Sequence, residues 1–196
     1  MNRTEHGRIK SAKLGQGAAR RCKCSNGSAN DKACPKHIPT SPERIQMTNP
    51  EQLQQLGLPP ADQIGFVVRD LEQSMAAYAP LFGPFSTMDG SVTQVRYRGR
   101  NEDAGLKLAF GRSGDLEIEL IQWVSGHSPH REFIEKGREG MHHIRFRVED
   151  ADAWIARLEA LGYAAIWYKR FSADTTFAYL ERSGDPTLVE ILQMPP

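Results

Sequence analysis

An internal repeat restricts this chain more than any other feature of it. At an offset of 80 residues, the stretch 63–81 matches 143–161 at Ile64 with Ile144, Phe66 with Phe146, Val68 with Val148, Asp70 with Asp150, Ala76 with Ala156 and Leu81 with Leu161. A second match closes each copy: Gly114-Asp115 followed by Glu119-Leu-Ile-Gln122, against Gly184-Asp185 followed by Glu190-Ile-Leu-Gln193. Such a chain sets two units of one design in succession. The matched apolar residues that open each unit fall at every second position, the period of a strand with one buried face. Asp70 and Asp150 then read as N-caps, whose side-chain oxygens accept from the free amides of a helix's first turn. The helices expected there run from Leu71 to Phe82, stopped around Pro80 and Gly83, and from Ala151 to Leu161, stopped at Gly162.

Three further runs follow each helix. In the first unit they are Thr93 to Arg98, Gly105 to Gly111 and Leu116 to Trp123, separated by turn formers such as Asn101, Gly105 and Gly114. In the second they are Ala164 to Arg170, Thr176 to Glu181 and Thr187 to Leu192. All are alternating or rich in β-formers, so each unit reads βαβββ, over 60–128 and 140–194. Between them, 129–139 has helical character from Pro129 to Lys136. The expected class is α+β: two tandem curved four-stranded sheets, each with a helix on one face, side by side as a half-barrel around a cleft.

Charge divides the chain where the pattern begins. Residues 1–46 hold ten Lys or Arg against three acids, which leaves 15 basic against 21 acidic residues for the rest. An acidic body lacks the basic face that replaces counterions around phosphate, so nucleic acid is not an expected partner. No apolar run approaches the ~20 residues of a membrane span. The segment 1–46 has one Leu and no Val, Phe, Trp or Tyr, too little apolar surface to offset the entropy of ordering it, and is expected to be disordered. All three cysteines lie in it, so the body holds by ordinary packing, as expected of a cytoplasmic protein. Cys22, Cys24, Cys34 and His37 are candidate zinc ligands, although their spacing follows no common finger or ribbon pattern. No apolar h-region follows the basic start. Met47 stands at the change of composition, which marks the tail as an extension that adds nothing to function.

The motifs Asp62-Gln-Ile-Gly-Phe-Val-Val-Arg-Asp-Leu71 and Gly140-Met-His-His-Ile-Arg-Phe-Arg-Val148, with the two Glu-bearing final strands, resemble the vicinal oxygen chelate superfamily over essentially all of 60–194. That superfamily includes glyoxalase I, methylmalonyl-CoA epimerase, extradiol dioxygenases and bleomycin-resistance proteins. Gly-Met-His-His-Ile and Phe82-Gly-Pro84 liken the chain most to the epimerase-like branch. The resemblance implies paired βαβββ modules, a homodimer, and one divalent metal held by the first and last strand of each module. Carried over by position, the ligands are Gln63, Glu119, His143 and Glu190. Alternation agrees in one respect: if Ile64, Phe66 and Val68 face the helix, then Gln63 and Gly65 line the cleft, as do His143, Arg145 and Arg147. A sheet face carrying His-x-Arg-x-Arg needs something polar against it. By the same alternation His142 points to the helix side as a structural residue, and Glu117 is an acid two positions from Glu119.

Three oxygen donors and one imidazole suit Zn, Ni, Co, Mn or Fe. A ring-cleaving dioxygenase needs two His and one carboxylate on iron, and this set has one His. Carboxylates beside a Lewis acid suit removal of a proton α to a carbonyl, with Glu190 as the base and Glu119 as ligand and second base. Arg145 is the candidate contact for a substrate anion, or alternatively a salt-bridge partner of the acids. The expected activity is epimerisation or isomerisation of an acyl thioester, such as a CoA thioester, or of a 2-oxo compound. The runner-up is glyoxalase I-type lyase chemistry, since Gln, Glu, His, Glu is the ligand set of some glyoxalases I. A third class is a sequestering protein of the bleomycin-resistance kind, with Trp123, Trp167, Tyr168 and Tyr179 lining an aromatic cleft. A chain begun at Met47 should keep both the melting temperature and the metal content of the full chain. A melting temperature several degrees lower, or loss of a second zinc, would show that the tail does more.

Overall fold

Alternation sets which face of each strand meets a helix and which meets the interior. The computed structural model describes residues 56–195, so the tail and the Cys22, Cys24, Cys34, His37 set lie outside the described residues. The chain runs β1 (Gln63–Val68), α1 (Leu71–Phe82), β2 (Ser86–Asp89), β3 (Val92–Tyr97), β4 (Arg100–Ser113), β5 (Leu116–Gly126), α2 (Pro129–Glu135), β6 (Gly140–Val148), α3 (Ala151–Glu159), β7 (Tyr163–Arg170), β8 (Thr176–Arg182) and β9 (Leu188–Gln193). Among the described residues no helix is long and apolar enough to cross a membrane.

The strands form one mixed sheet curved into a barrel. β1 lies between β5, to which it is parallel, and β6, to which it is antiparallel. β6 is parallel to β9, and β8 and β7 follow antiparallel. On the other side β5 pairs with β4, which carries both β2 and β3. The ring closes where β3 meets β7 through Arg96 with Tyr168 and Tyr97 with Trp167. Here the expected open half-barrel is corrected, because this seam joins segments about 70 residues apart in sequence, and alternation within a strand carries no information about its neighbours. The sequence also missed β2, all four of whose residues are exposed, so no alternation marks it. β2 and β3 both lie along β4 and amount to one strand broken at Gly90 and Ser91. A Cβ on Gly90 would stand 2.4 Å from Leu108 Cδ1.

Three apolar clusters follow from the faces. α1 covers Ile64, Phe66, Val68, Ile118 and Leu120 through Leu71 and Met75. α3 covers Val148, Ala178, Leu180 and Ile191 through Ile155 and Leu158. Inside the barrel Val67, Leu106, Leu108, Ile121, Trp167 and Tyr179 pack together, joined by Phe133 of α2. Each fully buried side chain of this kind contributes roughly 1.5–3 kcal/mol. α2 is held in place by Arg98, whose guanidinium donates to Glu132 on α2 (2.8 Å) and to Glu181 on β8 (2.7 Å).

The repeat also explains how the two longer helices begin. Asp70 Oδ1 accepts from the Gln73 amide (2.9 Å) and Asp150 Oδ1 from the Ala153 amide (3.0 Å). The matched glutamines complete the caps from the last strands: Gln122 Oε1 accepts from the Leu71 amide and Gln193 Oε1 from the Ala151 amide, both at 3.0 Å. Each helix start is thereby tied to the strand that carries a candidate ligand three residues earlier. α1 continues two residues past Pro80 and is closed by the Gly83 amide donating to Ala79 O (3.0 Å). Asp70→Ala and Asp150→Ala should each lower unfolding free energy by about 1 kcal/mol in a urea titration; unchanged midpoints would show that the glutamine contacts suffice.

Candidate metal centre

His143 reaches the barrel interior through an irregularity in the β1–β6 ladder. The register passes from Gly65 opposite His143 to Phe66 opposite Met141, so His142 is the extra residue of a bulge. His142 therefore leaves the simple alternation. Its ring lies against His130 (4.9 Å between centroids) and Phe133 (5.1 Å) of α2, not against α3. Its Nδ1 stands 3.2 Å from His143 Nδ1, leaving His143 Nε2 to face the other candidates. Gly65 is required opposite: a Cβ there would stand 1.9 Å from His143 Cε1.

Around His143 Nε2 lie Glu190 Oε2 at 3.0 Å, Gln63 Oε1 at 3.3 Å and Glu119 Oε2 at 3.5 Å. The four residues named from the sequence thus come together, and all are buried. Ligand atoms of Glu119, His143 and Glu190 lie within 4.8 Å of one another. The parity of each strand supplies this convergence: Ile118 and Leu120 face α1 while Glu119 and Ile121 face inward, and Val189 and Ile191 face α3 while Glu190 faces inward.

The next shell orients the first. Gln63 Nε2 donates to Glu117 Oε1 (2.8 Å), which turns the amide oxygen toward His143. Arg145 donates to Asp62 (2.8 and 3.1 Å) and to Glu117 (3.2 Å). Of the two roles the sequence left open for Arg145, its guanidinium is found in the salt bridge. Glu117 was legible only as a spare acid, although its parity with Glu119 already placed it on the same face.

The electrostatics are those of a site built for a cation. Burial alone depresses the His143 imidazole, but hydrogen bonds to Glu119 and Glu190 and their charges outweigh it and push it up to about 9. Burial raises the Glu119 carboxyl, against the pull of His143. Burial, then the charge of His143, lowers His130 to about 3, so that ring is neutral. Two buried carboxyl groups face a single imidazole ring; a divalent ion with neutral imidazole would balance both of them in ionised form. One nitrogen and three oxygens fit Zn, Ni, Co, Mn or Fe(II).

A cavity of about 350 Å³ opens above Glu119 and Glu190. Trp167 and Tyr179, two of the four aromatics expected there, line it. Trp123 instead donates its indole N–H to Ser125 O (2.9 Å), and Tyr168 packs on the α3 side. The sequence reading missed His130, Phe171 and Phe177, which also line it. His130 sits on the inner side of α2, where the 3.6-residue period of so short a helix gives little signal.

Barrel, buried donor set and cavity define the class of protein. Residues 62–179 match the family model described as Glyoxalase/Bleomycin resistance protein/Dioxygenase superfamily, and the chain belongs to that superfamily. Its fold is similar to that of a hypothetical protein, BH1468, from Bacillus halodurans C-125, at 25% identity and TM-score 0.52 over 70% of this chain and 95% of that one. It is also similar to that of methylmalonyl-CoA epimerase from Mycobacterium tuberculosis, at 20% identity and TM-score 0.51 over 71% and 90% of the respective chains. The uncharacterized protein YqjC of Bacillus subtilis (strain 168) is 28% identical over 85 residues, 43% of this chain and 54% of that protein. The chain thus spans about half the length of this curated relative.

His143→Ala should abolish stoichiometric binding of added Zn, Co or Ni, measured by mass spectrometry, whereas His142→Ala should retain it. Gly65→Ala, which displaces the imidazole, should weaken binding by about tenfold or more. Because the ion must displace the His143 proton, apparent affinity should rise by up to about tenfold per pH unit below about 9 and then level off. Affinity independent of pH between 6 and 8 would exclude His143 as the titrating ligand.

Proposed function

We propose that this protein is a metal-dependent epimerase or isomerase that removes and returns a proton α to the carbonyl of an acyl thioester or 2-oxo compound. The reading is carried by two buried carboxylates that converge with one imidazole beneath an aromatic cavity. Gln63, Glu119, His143 and Glu190 hold one divalent ion, which supplies a Lewis acid for the substrate's carbonyl oxygen. Glu190 takes the proton. Its carboxylate lines the cavity and is the nearest acid to His143 Nε2. Glu119, on the strand β5 on the other side of β1 and β6 from β9, is ligand and second base; inversion at carbon follows if the two acids serve opposite faces of the substrate. Arg145 and Asp62 act through Glu117, whose oxygen keeps the Gln63 amide turned to the site.

One of the proteins that share the fold is named for a CoA thioester, which puts acyl thioesters first among substrates to test. Gln63 beside two glutamates and one histidine favours a second reading, glyoxalase I-type lyase chemistry, which uses the same proton abstraction. The test follows exchange of the α-hydrogen of acyl-CoA thioesters and glutathione hemithioacetals in deuterated water. Glu190→Gln keeps an oxygen donor and removes the proton acceptor, so turnover should fall by about 10²–10⁴-fold with most metal retained, and Glu119→Gln should fall less. Metal-loaded wild-type protein that exchanges no α-proton in either class would refute proton abstraction and favour sequestration.

A further inference from the structure

The cavity above the proposed centre has a one-sided chemistry. Four aromatic rings, Trp167, Phe171, Phe177 and Tyr179, form its wall with Leu108 and Ile121. Its volume of about 350 Å³ lies at the low end of small-molecule pockets, which run roughly 300–1,000 Å³. The charged side chains in the lining are Asp89, Glu119 and Glu190, all acidic, and among the described residues no Lys or Arg lines it. The polar groups set into the wall are uncharged: neither nitrogen of the fully buried His130 nor Nε1 of Trp167 has a hydrogen-bond partner. At the mouth, Met88 and Phe171 are each 55% exposed and carry the apolar surface out to solvent.

With Glu119 and Glu190 engaged by the proposed ion, the wall that remains is aromatic and aliphatic and its further charged residue is the exposed Asp89. A carboxylate moved against that wall would lose its hydration and find no Lys or Arg to pair with, which is the costly way to bury a charge. An apolar ring meets offset and edge-on aromatic partners and removes its own surface from water. We propose that the cavity selects an uncharged, aromatic or bulky apolar substituent at the substrate's α-carbon and disfavours a second carboxylate there. This names the substrate class of the site and rests on the reading under Proposed function.

The test uses the full chain loaded with metal and two N-acetylcysteamine thioesters that differ at the α-carbon, 2-phenylpropionyl and methylmalonyl. In isothermal titration the phenyl compound should bind at least about tenfold more tightly. Met88→Arg places a cation on an exposed position at the mouth and should shrink that preference without loss of folding. Equal or tighter binding of the methylmalonyl compound, or no binding of the phenyl compound, overturns the proposal. Deuterium incorporation separates the two claims. A phenyl compound that binds by preference and never incorporates deuterium leaves the cavity assignment standing and removes proton abstraction. Tighter binding of the methylmalonyl compound together with incorporation does the reverse.

Discussion

Two carboxyl groups and an imidazole are held together, buried, at the floor of the barrel cavity, and this enforced closeness governs the rest of the structure. Each buried acid would be costly alone. Together they raise His143, and His143 in turn holds Glu119 against the upward push of its own burial. Two acids against one imidazole form a donor group that could hold a metal ion. Strand parity, the bulge at His142 and the missing Cβ at Gly65 all bring one ring nitrogen within 3.5 Å of three oxygens.

Around that cluster the ion pairs are graded by role. Arg145, with its side chain 15% exposed, locks Asp62 and Glu117 and through them the rotamer of Gln63. Arg98, more open to solvent, ties α2 to β8 and sets the height at which His130 and Phe133 enter the interior. Neither pair touches the cavity, yet both decide what faces it. The helix caps work in the same way: Gln122 and Gln193 follow Glu119 and Glu190 at three residues and fix the strand ends that present them.

Much of this was legible because the chain states its pattern twice. Period-2 alternation placed Gln63 and His143 on inward faces, the family resemblance added Glu119 and Glu190 at matching positions of the last strands, and the repeated Asp marked both helix starts within a residue. Signals were weakest where no apolar contrast exists. β2 is exposed along its whole length and left no alternation to read. His142 defied alternation because a bulge adds one residue to β6, a property of the pairing with β1. His130 belongs to a helix of seven residues, too short for its period to show an inner face.

The sequence by itself determined the order of the helices and of the strands other than β2, the faces of the regular strands β1 and β6 away from the bulge at His142, and the residue types available as ligands, since local periodicity, capping and repetition are carried by near neighbours. Only the tertiary structure decided that β3 and β7 close the ring, that Arg145 is engaged by Asp62 and Glu117, and that the wall above the acids is aromatic and without a basic side chain. Those outcomes depend on which segments meet across long loops. Such meetings are settled by packing and charge pairing in three dimensions, to which no short stretch of sequence has access.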